Sequence, residues 1–332
     1  MQAHRVRFSQ KGKVVIETTN VGPPDNPPGP GQVLVEAICS VISPGTELAF
    51  LHARPNTTGK FPASSGYCMC GRIIGKGAGT KSLDEKQVVA VGSSHASAQV
   101  VAANDCCPIP TGMPPARAAA FMVVAIALQA VRKGQIQLGD SVAVLGLGLI
   151  GNLAAQWART AGAASVVGVD PVAWRRDLAI ECGLDEARAS SQDLLEHLPD
   201  HPVRGQGFDV VIEATGLPDP INDAFHLARQ LGRVVLLGST RGDTGSVNFY
   251  RDVHKKGLTV VGAHNSIRPG HDDVGHLHTL RSDQLTSLDL IAAGRIQIDP
   301  LISDTVPALE APKAYERLTA QDEPLMTIAL NW

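Results

Sequence analysis

Gly146, Gly148 and Gly151 stand at the spacing G-x-G-x-x-G, and Asp170 follows nineteen residues after the last of them. Each residue type has its own task in holding a pyrophosphate and a ribose. A glycine at the first position permits a tight turn. At the second it lets the backbone approach the pyrophosphate, and at the third it lets a helix pack on a strand. The N-terminus of the helix that follows offers free N–H groups and a partial positive charge to phosphate oxygens, and Leu149, Ile150 and Gly151 beside it are expected cofactor contacts. A carboxylate at Asp170 accepts hydrogen bonds from both ribose hydroxyls. The spacing therefore predicts a dinucleotide site, with an ordinary strand-to-helix turn as the plainer alternative. The same carboxylate favours NAD over NADP, because it repels a 2′-phosphate. Arg175 and Arg176, on the next helix, could still pair with such a phosphate, so NADP stays open.

These residues need a particular frame. Ser141 to Leu145 is an apolar strand leading into the glycines, an amphipathic helix is expected over Asn152 to Gly162, and Ser165 to Val169 is a second strand ending in Asp170. Further apolar runs at Val210–Glu213, Val234–Leu237 and Leu258–Gly262 continue the alternation of strand and helix. That rhythm predicts a doubly wound α/β domain with a parallel sheet over 123–266. Open parallel sheets bind ligands beyond the C-terminal ends of their strands. This singles out Thr215, Gly216, Gly238 and Ser239 as cofactor contacts, with plain loop chemistry as the other reading.

Residues 1–122 read differently. Short strands at Val14–Ile16, Gln32–Ala37, Arg72–Ile74, Gln87–Val91 and Ala98–Val101 are broken by Gly and Pro, an antiparallel, barrel-like pattern. The stretch Gly22–Gly31 is loop by composition. After about 267 come a polar segment with His271, Asp272, Asp273, His276 and His278, a helix near Leu285–Ala293 and a final strand Met326–Leu330. The polar segment reads as a solvated face rather than a metal site.

Composition bounds the rest. A chain of 332 residues can form two cored domains. A net charge of −3, without a basic tract, argues against nucleic acid as a partner. The longest apolar run, Ala118 to Leu128, is too short to span a bilayer. With no apolar core for a signal peptide near Met1, the six cysteines are expected as reduced thiols in the cytoplasm.

Several local motifs carry a family resemblance over nearly the whole chain. Gly45-Thr46-Glu47-Leu48 resembles a G-T/S-D-L segment, and Gly66-Tyr67-Cys68 falls where a G-H-E segment is expected, followed by a matching Gly71–Gly77. Asp209–Gly216, Gly232–Gly238 and Ala314–Leu318 resemble later motifs of the same group. The sequence resembles the medium-chain dehydrogenase/reductase superfamily, of zinc-type alcohol dehydrogenase character. The resemblance implies a GroES-like catalytic domain (1–122 and 267–332) around an inserted Rossmann domain (123–266). It also implies a homodimer joined through the Rossmann edge strand Leu258–Gly262. It places His264 and Asn265 near the nicotinamide, with a structural bond to a loop as the alternative.

The departures from the family concern its metal. Zinc members place a Cys where Pro44 stands, after Ser43; their His becomes Tyr67, and their Glu becomes Cys68. No acid or Cys occupies Ala118–Leu128, and the cysteine-rich structural lobe is absent. Catalytic zinc needs three protein ligands, so no zinc is expected. A relocated site at Cys39, Cys68, Cys70 and His95 is the alternative, against buried structural thiols; the adjacent pair Cys106-Cys107 is a poorer chelator still. By the alignment Tyr67 would face the substrate and donate to an oxyanion, unless it is simply packed. Ser43 would add a second donor, or bond locally before Pro44. Glu47 would relay protons or form a buried ion pair, and His95 would be an acid/base or an exposed loop histidine. The implied activity is zinc-independent hydride transfer between a nicotinamide and a carbonyl or alcohol carbon of a small molecule held in an interdomain cleft. Enone (C=C) reduction, and a dinucleotide-binding sensor or structural protein without turnover, are the rivals.

Overall fold

The computed structural model describes residues 1–23, 26–80, 82–201, 205–269 and 278–332. The chain forms two compact units: Met1–Val123 with Arg281–Gly294 and Leu301–Trp332, and Val124–Leu280 with Arg295–Pro300. His271, Asp272, Asp273 and His276, together with Pro24 and Asp25 of the Pro-rich loop, lie outside the described residues.

The first unit is built on a seven-stranded sheet. Its order runs Ile302–Pro307, Thr327–Asn331, Gln32–Val41, Met69–Lys76, Val88–Val91 and Cys106–Pro108, with Ala98–Ala102 also paired to Gln32–Val41. Gln2–Gln10 is the middle strand of a smaller sheet, between Lys13–Asn20 and Ala63–Ser64. With aromatics at only 4% of the chain, small aliphatics fill most of the interior. The larger side chains gather where the helix Ala311–Ala320 lies over the sheet: Phe8 and Tyr315 meet edge to face at 5.4 Å among Val6, Ile42, Leu318, Ile328 and Leu330. The helix Pro44–Leu51 follows the long strand Gln32–Val41. Pro44 opens it well, since its fixed φ suits a first turn whose N–H would be unpaired anyway.

The second unit carries a six-stranded sheet, parallel throughout. Its order is Glu186–Arg188, Ser165–Val169, Ser141–Leu145, Phe208–Glu213, Ala228–Leu236, Thr259–Gly262. This is the doubly wound arrangement, in which the order reverses next to the first strand. The interior strands are buried on both faces: all six residues of Phe208–Glu213 are buried, including the carboxylates Asp209 and Glu213 at or near its ends. Among the described residues, no helix is long and apolar enough to cross a membrane.

Three boundaries differ from the sequence expectation. The helix after the glycines spans Leu149–Thr160 rather than 152–162, because it starts directly on Gly148 and ends before Gly162, whose φ is +95°. The late helix spans Leu280–Ala292 rather than starting near 285. The described residues 267–269 and 278–280, and the segment 295–300, expected with the first domain, fall in the second unit. Arg268 donates to the Ala125 carbonyl (3.2 Å), Leu280 N–H to Pro269 (2.8 Å), and Gln156 Oε1 takes the N–H of Gln297 (2.7 Å).

Candidate functional site

In the second unit the glycine loop has the form its spacing predicts. Gly146 has φ +86°, and its N–H donates to Val169 across the strands. A Cβ on Gly151 would stand 1.7 Å from the Gly146 carbonyl oxygen, so helix and turn are in backbone contact there. A Cβ on Gly148 would meet nothing within 4 Å: the backbone at this point is open to a ligand. Gly148 is the N-cap of Leu149–Thr160, and no side chain caps that end. The first N–H groups of the helix therefore remain available to an anion.

Asp170 is buried, and its carboxylate joins two loops. One oxygen accepts from Leu147 N–H, inside the glycine turn, and the other from Val172 N–H, both at 2.9 Å. Each oxygen keeps a lone pair for a further donor. Arg175 lies 3.7 Å from this carboxylate and stacks over Trp174, whereas Arg176 is committed to the main-chain carbonyls of Asp170 and Pro171.

Thr215 and Gly216 follow the strand Phe208–Glu213, and Gly238 and Ser239 follow its neighbour. A Cβ on Gly146 would approach Thr215 Cα to 2.9 Å, so the Thr215 turn abuts the glycine loop. Ser239 is exposed at the end of its strand. His264 and Asn265 satisfy their side chains locally: His264 Nδ1 pairs with Ser266 Oγ at 2.7 Å, and Asn265 Oδ1 accepts from Arg268. For this pair the structural bond is the arrangement observed.

In the first unit, Ser43, Glu47, Tyr67 and His95 converge. The Tyr67 hydroxyl donates to Ser43 Oγ at 2.6 Å and also bonds Thr46. Ser43 occupies the N-cap position of Pro44–Leu51, yet its hydroxyl does not cap the helix. The local turn bond open to Ser43 is therefore not made. Burial, reinforced by Cys68, pushes the Tyr67 phenol above its ordinary value, so it remains an O–H donor at neutral pH.

Glu47 and His95 sit deeper. His95 is fully buried, not the exposed loop histidine that Ser93-Ser94-His95 suggested, because its loop tucks under Gly66: a Cβ there would lie 2.5 Å from the His95 ring. His95 Nε2 pairs with Glu47 Oε2 at 3.1 Å, while His95 Nδ1 has no partner. Donation to the Glu47 carboxylate calls for a proton on Nε2. Glu47 also accepts the Tyr315 hydroxyl, and its other oxygen takes the Ser43 main-chain N–H at 2.6 Å. The bond from Glu47 therefore reaches the Ser43 backbone, not its hydroxyl. Glu47 and His95 brace the Tyr67–Ser43 pair.

Two members of this group escaped the sequence. Thr46 lay inside a quoted motif, but only the helix turn shows that it meets Tyr67. Tyr315 likewise lay inside the quoted motif Ala314–Leu318, but only the tertiary structure brings it, 268 residues away in sequence, onto Glu47.

The side chains gathered here differ from the usual donor set of a catalytic zinc. The Pro44 side chain offers no donor atom, and burial holds the Cys68 thiol well above its ordinary value. Burial likewise pushes Cys39 and Cys70 up to about 12, as expected of structural thiols. Among the described residues, no three His, Cys, Asp or Glu side chains are grouped so as to hold a metal.

Comparison with known proteins agrees with this architecture. A family model described as zinc-binding dehydrogenase matches residues 150–272. D-guloside 3-dehydrogenase of Shigella flexneri is 28% identical over 214 residues, 64% of this chain and 60% of that enzyme, so the match spans less than two thirds of that relative's length. L-threonine 3-dehydrogenase of Pyrococcus furiosus is 27% identical over 309 residues, 83% of this chain and 84% of that one. A solved structure from Sinorhizobium meliloti 1021, assigned as a zinc-binding dehydrogenase and bound to NADP, superimposes with a TM-score of 0.82. It covers 100% of both chains at 24% identity and so speaks to the fold. Together with the parallel sheet, the glycine turn and the second sheet-built unit, these likenesses support the medium-chain dehydrogenase/reductase superfamily.

Proposed function

We propose that this chain is an NAD(P)-dependent oxidoreductase that works without zinc and interconverts a carbonyl and an alcohol on a small molecule. The observation that carries the reading is Tyr67, bonded to Ser43 and Thr46 and aligned by the resemblance with the His ligand of zinc members. When bound, the nicotinamide cofactor supplies or accepts the hydride. Gly148, the uncapped helix start at Leu149–Gly151 and Asp170 would hold its pyrophosphate and ribose. Tyr67 would donate its O–H to the substrate oxygen as negative charge develops there. Ser43 and Thr46 would pass a proton back to the phenol oxygen, so the phenol need not stay ionised. Glu47, held by His95 and Tyr315, would keep Ser43 in place through its main-chain N–H. The relatives named above are dehydrogenases of a guloside and of threonine, which favours alcohol–carbonyl chemistry over enone reduction.

NAD is the preferred cofactor in this reading. Replacing Asp170 with Ser removes the acceptor for the ribose and the tie to Leu147. NADH affinity should fall about tenfold, with a relative gain for NADPH. Fluorescence titration of both nucleotides measures this, and an unchanged NADH/NADPH ratio would remove Asp170 from ribose recognition.

The whole reading is tested by metal analysis of chelator-washed protein alongside NADH titration and turnover on aldehydes, ketones, sugars and enones. Zinc far below one per chain, with NADH binding and carbonyl turnover, is the expected result. One tightly held zinc per chain would overturn the metal-free chemistry. Turnover of enones alone would overturn the carbonyl assignment, and NADH binding without any turnover would point to a sensor or structural protein.

A further inference from the structure

Glu213 ends the strand Phe208–Glu213, fully buried, and no step proposed above uses it. One of its carboxyl oxygens accepts from Thr215 twice, through the main-chain N–H at 2.7 Å and through the hydroxyl. The Gly216 N–H also bonds this carboxyl. Its main-chain carbonyl takes the N–H groups of Leu237 and Gly238, at 2.9 and 2.8 Å. The other carboxyl oxygen has no partner and faces Gly238, where a Cβ would come to 3.0 Å from it. One residue thus ties together the turns that end two adjacent strands. An unpaired buried oxygen is costly, and burial also raises the Glu213 pKa above the ordinary carboxylate value.

The sheet order says what these turns are for. Asp170 ends the strand on one side of Ser141–Leu145, and Glu213 ends the strand on the other side. The glycine loop lies between them. A dinucleotide whose pyrophosphate crosses that loop, with its adenosine ribose at Asp170, must lay its other half over the Glu213 side.

We propose that Glu213 is a positioning residue for the nicotinamide half of the cofactor, holding Thr215–Gly216 against Gly238 so that this half finds a preformed surface. The proposal rests on the dinucleotide reading above.

The test compares NADH with ADP, which lacks the nicotinamide half, by calorimetric titration of wild type, Glu213→Ala, Glu213→Gln and Thr215→Val. Glu213→Ala and Thr215→Val should each lose about tenfold in NADH affinity and stay within about twofold for ADP. Glu213→Gln keeps an acceptor oxygen for Thr215 and should restore most of the NADH affinity. If Glu213→Ala does not fold, Thr215→Val and Glu213→Gln decide the matter. Equal losses for NADH and ADP, or no loss for NADH, overturn the proposal. Wild type that binds neither nucleotide overturns the dinucleotide reading and this proposal with it.

Discussion

The Tyr67→Phe variant should lose about 100-fold in kcat while its NADH affinity stays within about twofold, since one oxyanion donor in a dry site is worth roughly that much. The substitution removes a single oxygen. That oxygen bonds Ser43 and Thr46, both in the same unit, and touches no residue assigned to the nucleotide. Steady-state kinetics with a carbonyl substrate, beside fluorescence titration of NADH, separates the two quantities. If Tyr67 is only a packed side chain, turnover stays near wild type and the change appears in thermal stability alone. Ser43→Ala should give a smaller loss, because Thr46 still bonds the phenol. A Ser43→Ala loss as large as that of Tyr67→Phe would move the main role from the phenol to the serine.

Gly151→Ala should abolish measurable NADH binding and lower Tm. The new Cβ would stand 1.7 Å from the Gly146 carbonyl oxygen and 2.9 Å from its carbon. Both atoms are backbone, so no side chain can move aside, and relief requires helix and turn to separate. Overpacking of this kind costs about 1–3 kcal/mol, and it distorts the N–H groups on which a pyrophosphate depends. Gly148→Ala makes the contrast. Its Cβ meets nothing within 4 Å, so Tm should hold while NADH affinity falls, because the methyl occupies the space a ligand would enter. A Gly148→Ala protein with full NADH affinity would place the pyrophosphate elsewhere. Thermal melts with and without NADH measure both variants.

The nucleotide unit was largely legible because its signals are local. A strand, a glycine turn, a helix and an acid follow one another within a few dozen residues, and each constrains its neighbour's backbone. The parallel sheet follows from apolar strands alternating with helices. Spacing alone points Asp170 toward a ribose, whereas its bonds to Leu147 and Val172 depend on how two loops approach each other. The helix start moved to Leu149 for a similar reason: hydrophobic periodicity marks the buried face of a helix, not the turn that launches it.

The first unit was legible as strands and as a set of departures from zinc ligands, but not as a site. The exposure predicted for His95 followed from its polar neighbours, and only packing under Gly66 reverses it. Glu47 meets His95 across 48 residues and Tyr315 across 268, contacts that no local pattern encodes. Likewise, Arg268 bonds Ala125 and Gln297 bonds Gln156, contacts within the second unit that cross 143 and 141 residues of sequence. The sequence by itself therefore determined the nucleotide turn, the acid beyond it and the absence of a side-chain donor atom at Pro44, because these are properties of residue type and short spacing. Which hydroxyls face Tyr67, what braces them and how Glu213 joins two strand ends were decided by tertiary structure alone, because each depends on distant segments being buried against one another.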